Sequence, residues 1–235
     1  MDLVDLNRQY LNNKPFPHIV LTNVFENEEL LPVVEEIDAF NDWDGEKQFF
    51  GSQNKRYCGT LKKLPPHSRN LIQYMNGPDF LGFLEKVTGI PHLVPDPYLE
   101  GGGFHSIGRG GFLKIHADFN WHHRLHLHRR LNVLLYLNTD WEESWGGALE
   151  LWDSKVKSCV KKIPPKYNTM AIFSTTDSSF HGHPDPLMCP NDTRRKSIAL
   201  YYYTSERPEI EVRRGRSSQT DYKSRPGEDL IMSNN

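Results

Sequence analysis

The sequence predicts an α+β protein, mainly β, in which an N-terminal strand and helices support a sandwich or barrel of short strands. Three observations carry that expectation. Apolar residues recur at helical spacing within the first 96 residues. From about residue 97 onward, strand-like runs succeed one another with turn residues between them. One of those runs, 125–138, alternates apolar and polar side chains, which is the period of a half-buried strand.

In chain order, PHIVLTNVF at 17–25 reads as a strand leading into a helix. Asn27 is placed as the N-cap, with Glu28 and Glu29 in the first turn. Leu30, Leu31, Val34 and Ile37 then recur at helical spacing, so a helix is expected over 27–40. A second helix is expected over 67–76 and a third over 79–88. The third starts at Asp79, carries Phe80, Phe83, Leu84 and Val87, and stops at Gly89 before Pro91. Strands follow at 111–117, 125–138, 147–152, 156–163, 168–174 and 196–204. Their connections hold Gly146-Gly147, Pro164-Pro165 and the prolines of 184–190. The expected division is therefore 1–96 as support, 97–210 as core, both in one single domain, and 211–235 as a polar tail, loose or wrapped on the surface.

Composition narrows the function classes. The chain has 235 residues, 37% hydrophobic and 11% aromatic, enough for a real core. Its formal charge of −2 supplies no basic field, so no nucleic acid partner is expected. No stretch approaches the roughly 18 apolar residues of a membrane-crossing helix. MDLVDLNRQY has neither a basic n-region nor an apolar run, so no signal peptide is expected. Cys58, Cys159 and Cys189 are odd in number and lack metal-site spacing, which favours a reducing, cytoplasmic setting over a disulfide scaffold.

The chemistry concentrates in FLKIHADFNWHHRLHLHRRLNVLLYLN, residues 112–138, which holds five of the eleven histidines. With 125–138 as a strand, Leu125, Leu127, Leu131, Val133, Leu135 and Leu137 share a core face with Arg129. His126, His128, Arg130, Asn132, Tyr136 and Asn138 share the other face. His122, His123, His126 and His128 then form either a solvated face or a basic rim beside a site. With Arg124, Arg129 and Arg130, such a rim would suit an acidic peptide or a carboxylated small molecule.

His116 differs, because Asp118 stands two residues on. On a strand, i and i+2 point to one side, so an imidazole and a carboxylate can converge on one ion. A second His-x-Asp, His183-Pro184-Asp185, lies between prolines that resist strand pairing and is taken as accidental. A mononuclear site of the 2-His-1-carboxylate kind needs a third ligand from another strand. STTDSSFHGHPDP offers His181 or His183. His181 is preferred, because it follows Phe180 at a strand end and Gly182 lets the backbone turn away, whereas His183 precedes the stiff Pro184 in a more exposed segment. Arg195 and Ser197 open the last strand. An arginine buried there needs an anion, and its fork matches a carboxylate; the alternatives are an internal salt bridge or exposure.

His116-Ala117-Asp118, His181 about 65 residues later and Arg195-Lys196-Ser197 about 14 beyond that resemble the Fe(II)/2-oxoglutarate-dependent oxygenases, in the branch similar to prolyl 4-hydroxylases. LNVLLYLN and WGGALELWD look like that family's middle strands, and the likeness covers roughly residues 100–205. It implies a double-stranded β-helix, or jelly roll. It also implies Fe(II) on His116, Asp118 and His181, and 2-oxoglutarate with its distal carboxylate on Arg195 and Ser197. The implied reaction is hydroxylation of a C–H bond in a peptide or small-molecule substrate, with O2 consumed and succinate and CO2 formed. Asp118 separates hydroxylases from halogenating relatives, which carry Gly or Ala there. One departure matters: the tyrosine usual three residues before the first ligand is Leu113 here. Tyr136, Asn132 or Arg109 would then supply the missing contact to the co-substrate, or the co-substrate would lie differently. Two rival readings stay open: a non-catalytic jelly-roll binding module, and a zinc site in the histidine-rich loop 122–128.

Overall fold

In a computed structural model, described here for residues 2–211 and 215–228, four helices pack against a sheet of thirteen strands that forms a nearly closed barrel. Helix α1 (Leu3–Asn12) is followed by β1 (His18–Thr22) and α2 (Asn27–Ala39). A hairpin, β2 (Gly45–Phe49) and β3 (Ser52–Cys58), leads to α3 (Pro66–Met75) and α4 (Pro78–Thr88). The remaining strands are β4 (Val94–Pro95), β5 (Gly103–Ala117), β6 (Trp121–His122), β7 (Leu127–Tyr136), β8 (Leu149–Trp152), β9 (Cys159–Ile163), β10 (Thr169–Ser174), β11 (His181–His183), β12 (Arg195–Thr204) and β13 (Asp221–Tyr222). The main path runs β1-β10-β7-β12-β5-β11-β8-β9, and β3 and β13 extend it from β5. This is the double-stranded β-helix arrangement that the resemblance implied. No helix among the described residues is long and apolar enough to cross a membrane.

The helices form where caps and periodicity coincide. α4 begins at Pro78, whose missing N–H is harmless in a first turn, and ends at Gly89 in the left-handed region, φ 72°. In α2 the cap is Glu26, one residue earlier than Asn27: its side chain takes the Glu29 N–H while the Glu29 carboxylate takes the Glu26 N–H. α1 is an element that the periodicity reading passed over. Asp2 caps it through the Val4 N–H at 3.1 Å, and Leu6 and Tyr10 bury one face. Tyr10 then ties the helix to β10 through Ser174, 2.6 Å away. The β2–β3 hairpin was equally silent, because GEKQF and SQNKRYC carry no period-two apolar alternation.

The helices cover the apolar face of β7, β10 and β12. Leu131, Val133, Leu135, Leu137, Met170, Ile172, Ile198, Leu200 and Tyr202 meet Leu30, Ile37, Ile72 and Leu84 in one core. Shortening Leu135, fully buried there, removes apolar contact and leaves a void. Leu135→Ala is expected to cost about 2–5 kcal/mol. Each kcal/mol lowers Tm by ~2–4 °C in a domain of this size. A thermal melt showing no displacement would contradict this packing.

The opposite face of these strands lines the barrel interior. One irregularity decides which side chains reach it. Leu131 pairs with Tyr202 and Arg129 with Tyr203, so Arg130 is an extra residue in β7. The bulge reverses the alternation. Arg129, expected among the leucines, instead enters the interior beside Asn132, and is about 1% exposed.

Candidate active site

His116 is the penultimate residue of the long strand β5, and His181 opens β11 directly opposite it in the antiparallel ladder. Their rings lie 4.5 Å apart, centroid to centroid. Asp118 follows β5 and brings its two carboxylate oxygens to 3.6 Å from His116 Nε2 and 3.4 Å from His181 Nε2. Among the described residues these three are the group able to hold a metal ion, with ligand atoms all within 4.8 Å of one another.

The donor set suits a divalent metal. His116 Nδ1–H donates to the Lys114 carbonyl at 2.8 Å, and His181 Nδ1–H to the Ser179 carbonyl at 2.9 Å. Each bond fixes the tautomer, so each Nε2 keeps its lone pair for a metal. Burial, and then the neighbouring His116, pull the pKa of His181 down to about 4, which keeps the ring neutral at physiological pH. For Asp118, burial works to raise the pKa. The Arg129 guanidinium overcomes it and holds the carboxyl well below the usual range. Asn132 Nδ2–H donates to Asp118 Oδ2 at 2.7 Å, while Arg129 donates to Asn132 Oδ1 and reaches Asp118 Oδ2 at 3.2 Å. Two histidines and one carboxylate on one face suit Fe(II), with open coordination positions toward the cavity.

Gly182 is required, but by a different constraint from the turn that the sequence suggested. A Cβ there would lie 2.7 Å from the Leu113 carbonyl, so only glycine lets β11 lie this close to β5. His183 is buried and lines the same cavity, where an exposed position was expected. It is not in the ligand group. Asp185, its partner in the second His-x-Asp, points away to an ion pair with Arg225 at 2.8 Å.

The cavity beside the triad has a volume of about 120 Å³. Arg195 lies in its wall, buried, with Nε–H on the Gly147 carbonyl at 2.7 Å and Nη2–H on the Tyr136 hydroxyl at 3.2 Å. Ser197 lines it too. No carboxylate pairs with Arg195 among the described residues, so neither the salt-bridge nor the exposure alternative holds. Leu113 is part of the wall. Arg109 is not: its guanidinium donates to the Met188 and Cys189 carbonyls.

Three features of the site lay outside the sequence reading. Lys55 on β3 reaches the cavity from the unforeseen hairpin. Tyr222 on β13 pairs with His116 and sets its ring 5.4 Å from the imidazole, while Phe49 and Phe50 of the hairpin pack on Tyr222. Arg129 arrives through the bulge. The histidine cluster, in turn, is not one rim. His123 and His126 are exposed and His128 is half-buried, but His122 is wholly buried, 3.4 Å from Asp96 and 3.3 Å from Glu100. Its Nδ1 accepts the Leu125 N–H at 3.2 Å, which places the proton on Nε2, facing the acids. That tautomer does not ligate zinc through Nε2.

The sequence profile of the 2OG-Fe(II) oxygenase superfamily matches residues 102–203. Prolyl 3-hydroxylase OGFOD1 of Mus musculus is 27% identical over 199 residues, covering 82% of this chain but 34% of that protein, so the chain spans about a third of the relative's length. Among solved structures, the Trichoplax adhaerens prolyl hydroxylase in complex with a hypoxia inducible factor peptide fragment aligns with TM-score 0.59 at 16% identity, over 86% of this chain and 89% of that one. A Pseudomonas putida prolyl-4-hydroxylase aligns with TM-score 0.58 at 13% identity, over 86% and 98%. HygX of Streptomyces hygroscopicus, solved with nickel, 2-oxoglutarate and hygromycin B, aligns with TM-score 0.56 at 13% identity, over 88% and 92%.

Proposed function

We propose that the chain, whose residues 102–203 match the 2OG-Fe(II) oxygenase superfamily, is an Fe(II)- and 2-oxoglutarate-dependent dioxygenase that hydroxylates a C–H bond of a peptide, prolyl in type, or of a small molecule. The observation that carries this is a His-Asp-His group, its two histidines buried, in the same cavity as a buried arginine that has no carboxylate partner among the described residues. When bound, Fe(II) with 2-oxoglutarate and O2 supplies the oxidising chemistry, and succinate and CO2 are the co-products.

His116, Asp118 and His181 would hold the metal on one face and leave the positions toward the cavity open. Arg195 would take the distal carboxylate of 2-oxoglutarate through its fork, with Ser197 donating beside it. Tyr136, whose hydroxyl accepts from Arg195, holds that fork in place. Asn132 acts through Asp118: its amide fixes which carboxylate oxygen faces the metal position. Leu149, Leu134 and Phe119 line the cavity and keep water from the reacting centre. Asp118 fills the position that halogenating relatives leave open, which supports hydroxylation.

The peptide reading draws on the prolyl hydroxylases among the relatives, and the small-molecule reading on HygX. Cys58, Cys159 and Cys189 are free thiols, which a reducing compartment such as the cytoplasm preserves. Protein loaded anaerobically with Fe(II), then given O2 and 2-oxoglutarate alone, is expected to form succinate slowly, and a chelator is expected to stop it. Absence of metal-dependent succinate under all conditions would favour the binding module instead.

A further inference from the structure

The cavity holds a second buried cation that the reading above leaves without a task. Lys55 is 8% exposed, and no carboxylate pairs with it among the described residues. Its place in the sheet is informative. Lys55 lies opposite Ile107 of β5 from one side, and Arg195 lies opposite the same Ile107 from the other. Directly opposed residues of antiparallel strands point to one face, and neighbouring strands lie about 4.8 Å apart. The two cations therefore stand in one row, roughly 10 Å apart at their Cα atoms, on side chains long enough to meet.

Local sequence sets that row. Asn54 adopts φ 47°, and the β3–β5 register slips between Gln53 and Lys55. Asparagine tolerates this left-handed conformation better than most residues. Its side chain donates to the Arg109 carbonyl at 3.0 Å, and Arg194 grips its backbone carbonyl at 3.2 Å. The slip turns Lys55 inward rather than to solvent.

We propose that Lys55 is the second anchor for the distal carboxylate of 2-oxoglutarate, closing on it from β3 while Arg195 closes from β12, in place of the hydroxyl that Leu113 lacks. This rests on the oxygenase reading and adds to it a residue outside the stretch that carries the family likeness. Lys47, Lys55, Arg129 and Arg195 all line this cavity, and Asp118 is the one carboxylate among its lining residues, so like charge is in excess there, a costly arrangement. Burial, and then the charges of Lys47 and Arg195, pull the Lys55 ammonium down to about 7. A carboxylate between the two cations relieves both effects. His105 and His183, which line the same cavity, are each held neutral, chiefly by burial, and provide no competing charge.

The test compares two ligands on protein loaded with Mn(II) under nitrogen. One is 2-oxoglutarate; the other is 2-oxopentanoate, which keeps the chelating 2-oxo acid and has a methyl in place of the distal carboxylate. Calorimetric Kd values are measured for wild type, Lys55→Met and Lys55→Gln. Lys55→Met is expected to weaken 2-oxoglutarate about 10- to 100-fold, as loss of a charged hydrogen bond does, and to leave 2-oxopentanoate within about twofold. Methionine keeps the length of the stem and removes a charge that is costly when the cavity is empty, so Tm should not fall. Should Lys55→Met nonetheless unfold, Lys55→Gln carries the same comparison. Wild-type discrimination that survives unchanged in the folded variants overturns the assignment of Lys55 and leaves the oxygenase reading standing. Wild type that binds both ligands equally, or neither, overturns that reading itself.

Discussion

His116→Ala and His181→Ala are each expected to reduce bound metal from about one ion per chain to near zero after anaerobic loading and desalting. Each imidazole offers a lone pair fixed by a carbonyl behind it, so the loss removes a preorganised ligand and not a loose one. The effect should exceed the roughly 10–100-fold that loss of an outer partner costs, a value that Asn132→Ala, on Asp118, is suited to show. His183→Ala should keep the metal. Full retention in both His116→Ala and His181→Ala would falsify the triad. Loss in His183→Ala with retention in His181→Ala would exchange the two histidines as distal ligand.

Arg195→Ala is expected to weaken 2-oxoglutarate by about 2–5 kcal/mol, which is ~30-fold or more in Kd. Arg195 and Tyr136 are both buried, so a distal carboxylate that loses the guanidinium has little water at that point to replace it. Arg195→Lys should recover part of the loss, because a point charge replaces a planar fork already oriented by Gly147 and Tyr136. Metal stoichiometry should stay unchanged in both, as neither touches the triad's ligand atoms. Unaltered 2-oxoglutarate affinity in Arg195→Ala would move the role to another cation.

Two residue pairs of the candidate site were legible for one reason, local parity along an extended chain. His116 and Asp118 stand two apart, and Arg195 and Ser197 stand two apart, so one decision about strand direction aims both members of each pair. The α4 boundaries were legible because a first-turn Asp79 and Gly89 punctuate them. What escaped depends on relations between strands. Arg129 reaches Asp118 only because β7 carries one residue more than β12 at that point, and nothing within HLHRRLNV states where a ladder will slip. Lys55 sits on β3, whose buried positions Ser52, Lys55 and Cys58 stand three apart and are mostly not apolar, so no apolar period announces it. Tyr222 lies on a two-residue strand held by pairing to β5, in a tail whose composition is that of a loop. His122 was grouped with its neighbours because all are histidines, whereas burial against Asp96 and Glu100 sets it apart.

The imidazoles of His116 and His181 occupy one rung of the β5–β11 ladder, although about 65 residues separate them along the chain. That contact is non-local, and such pairings close late and slowly, after the loop entropy has been met. A refolding chain would therefore gain metal affinity at the rate of barrel closure, however fast the ion diffuses. Binding only the closed form, the ion would add about 2.7 kcal/mol to stability at a free concentration of 100 Kd. The same rung makes the intervening length a free variable. Doubling a flexible loop costs only ~0.6 kcal/mol, so length added at the exposed Ser154-Lys155 between β8 and β9 should cost little, provided Val156 keeps its place against Ile115, Ala117 and Phe180 beside the two histidines. Spacing between the two histidines is then a neutral character over evolutionary time, while the glycine between His181 and His183, wedged against β5, is not.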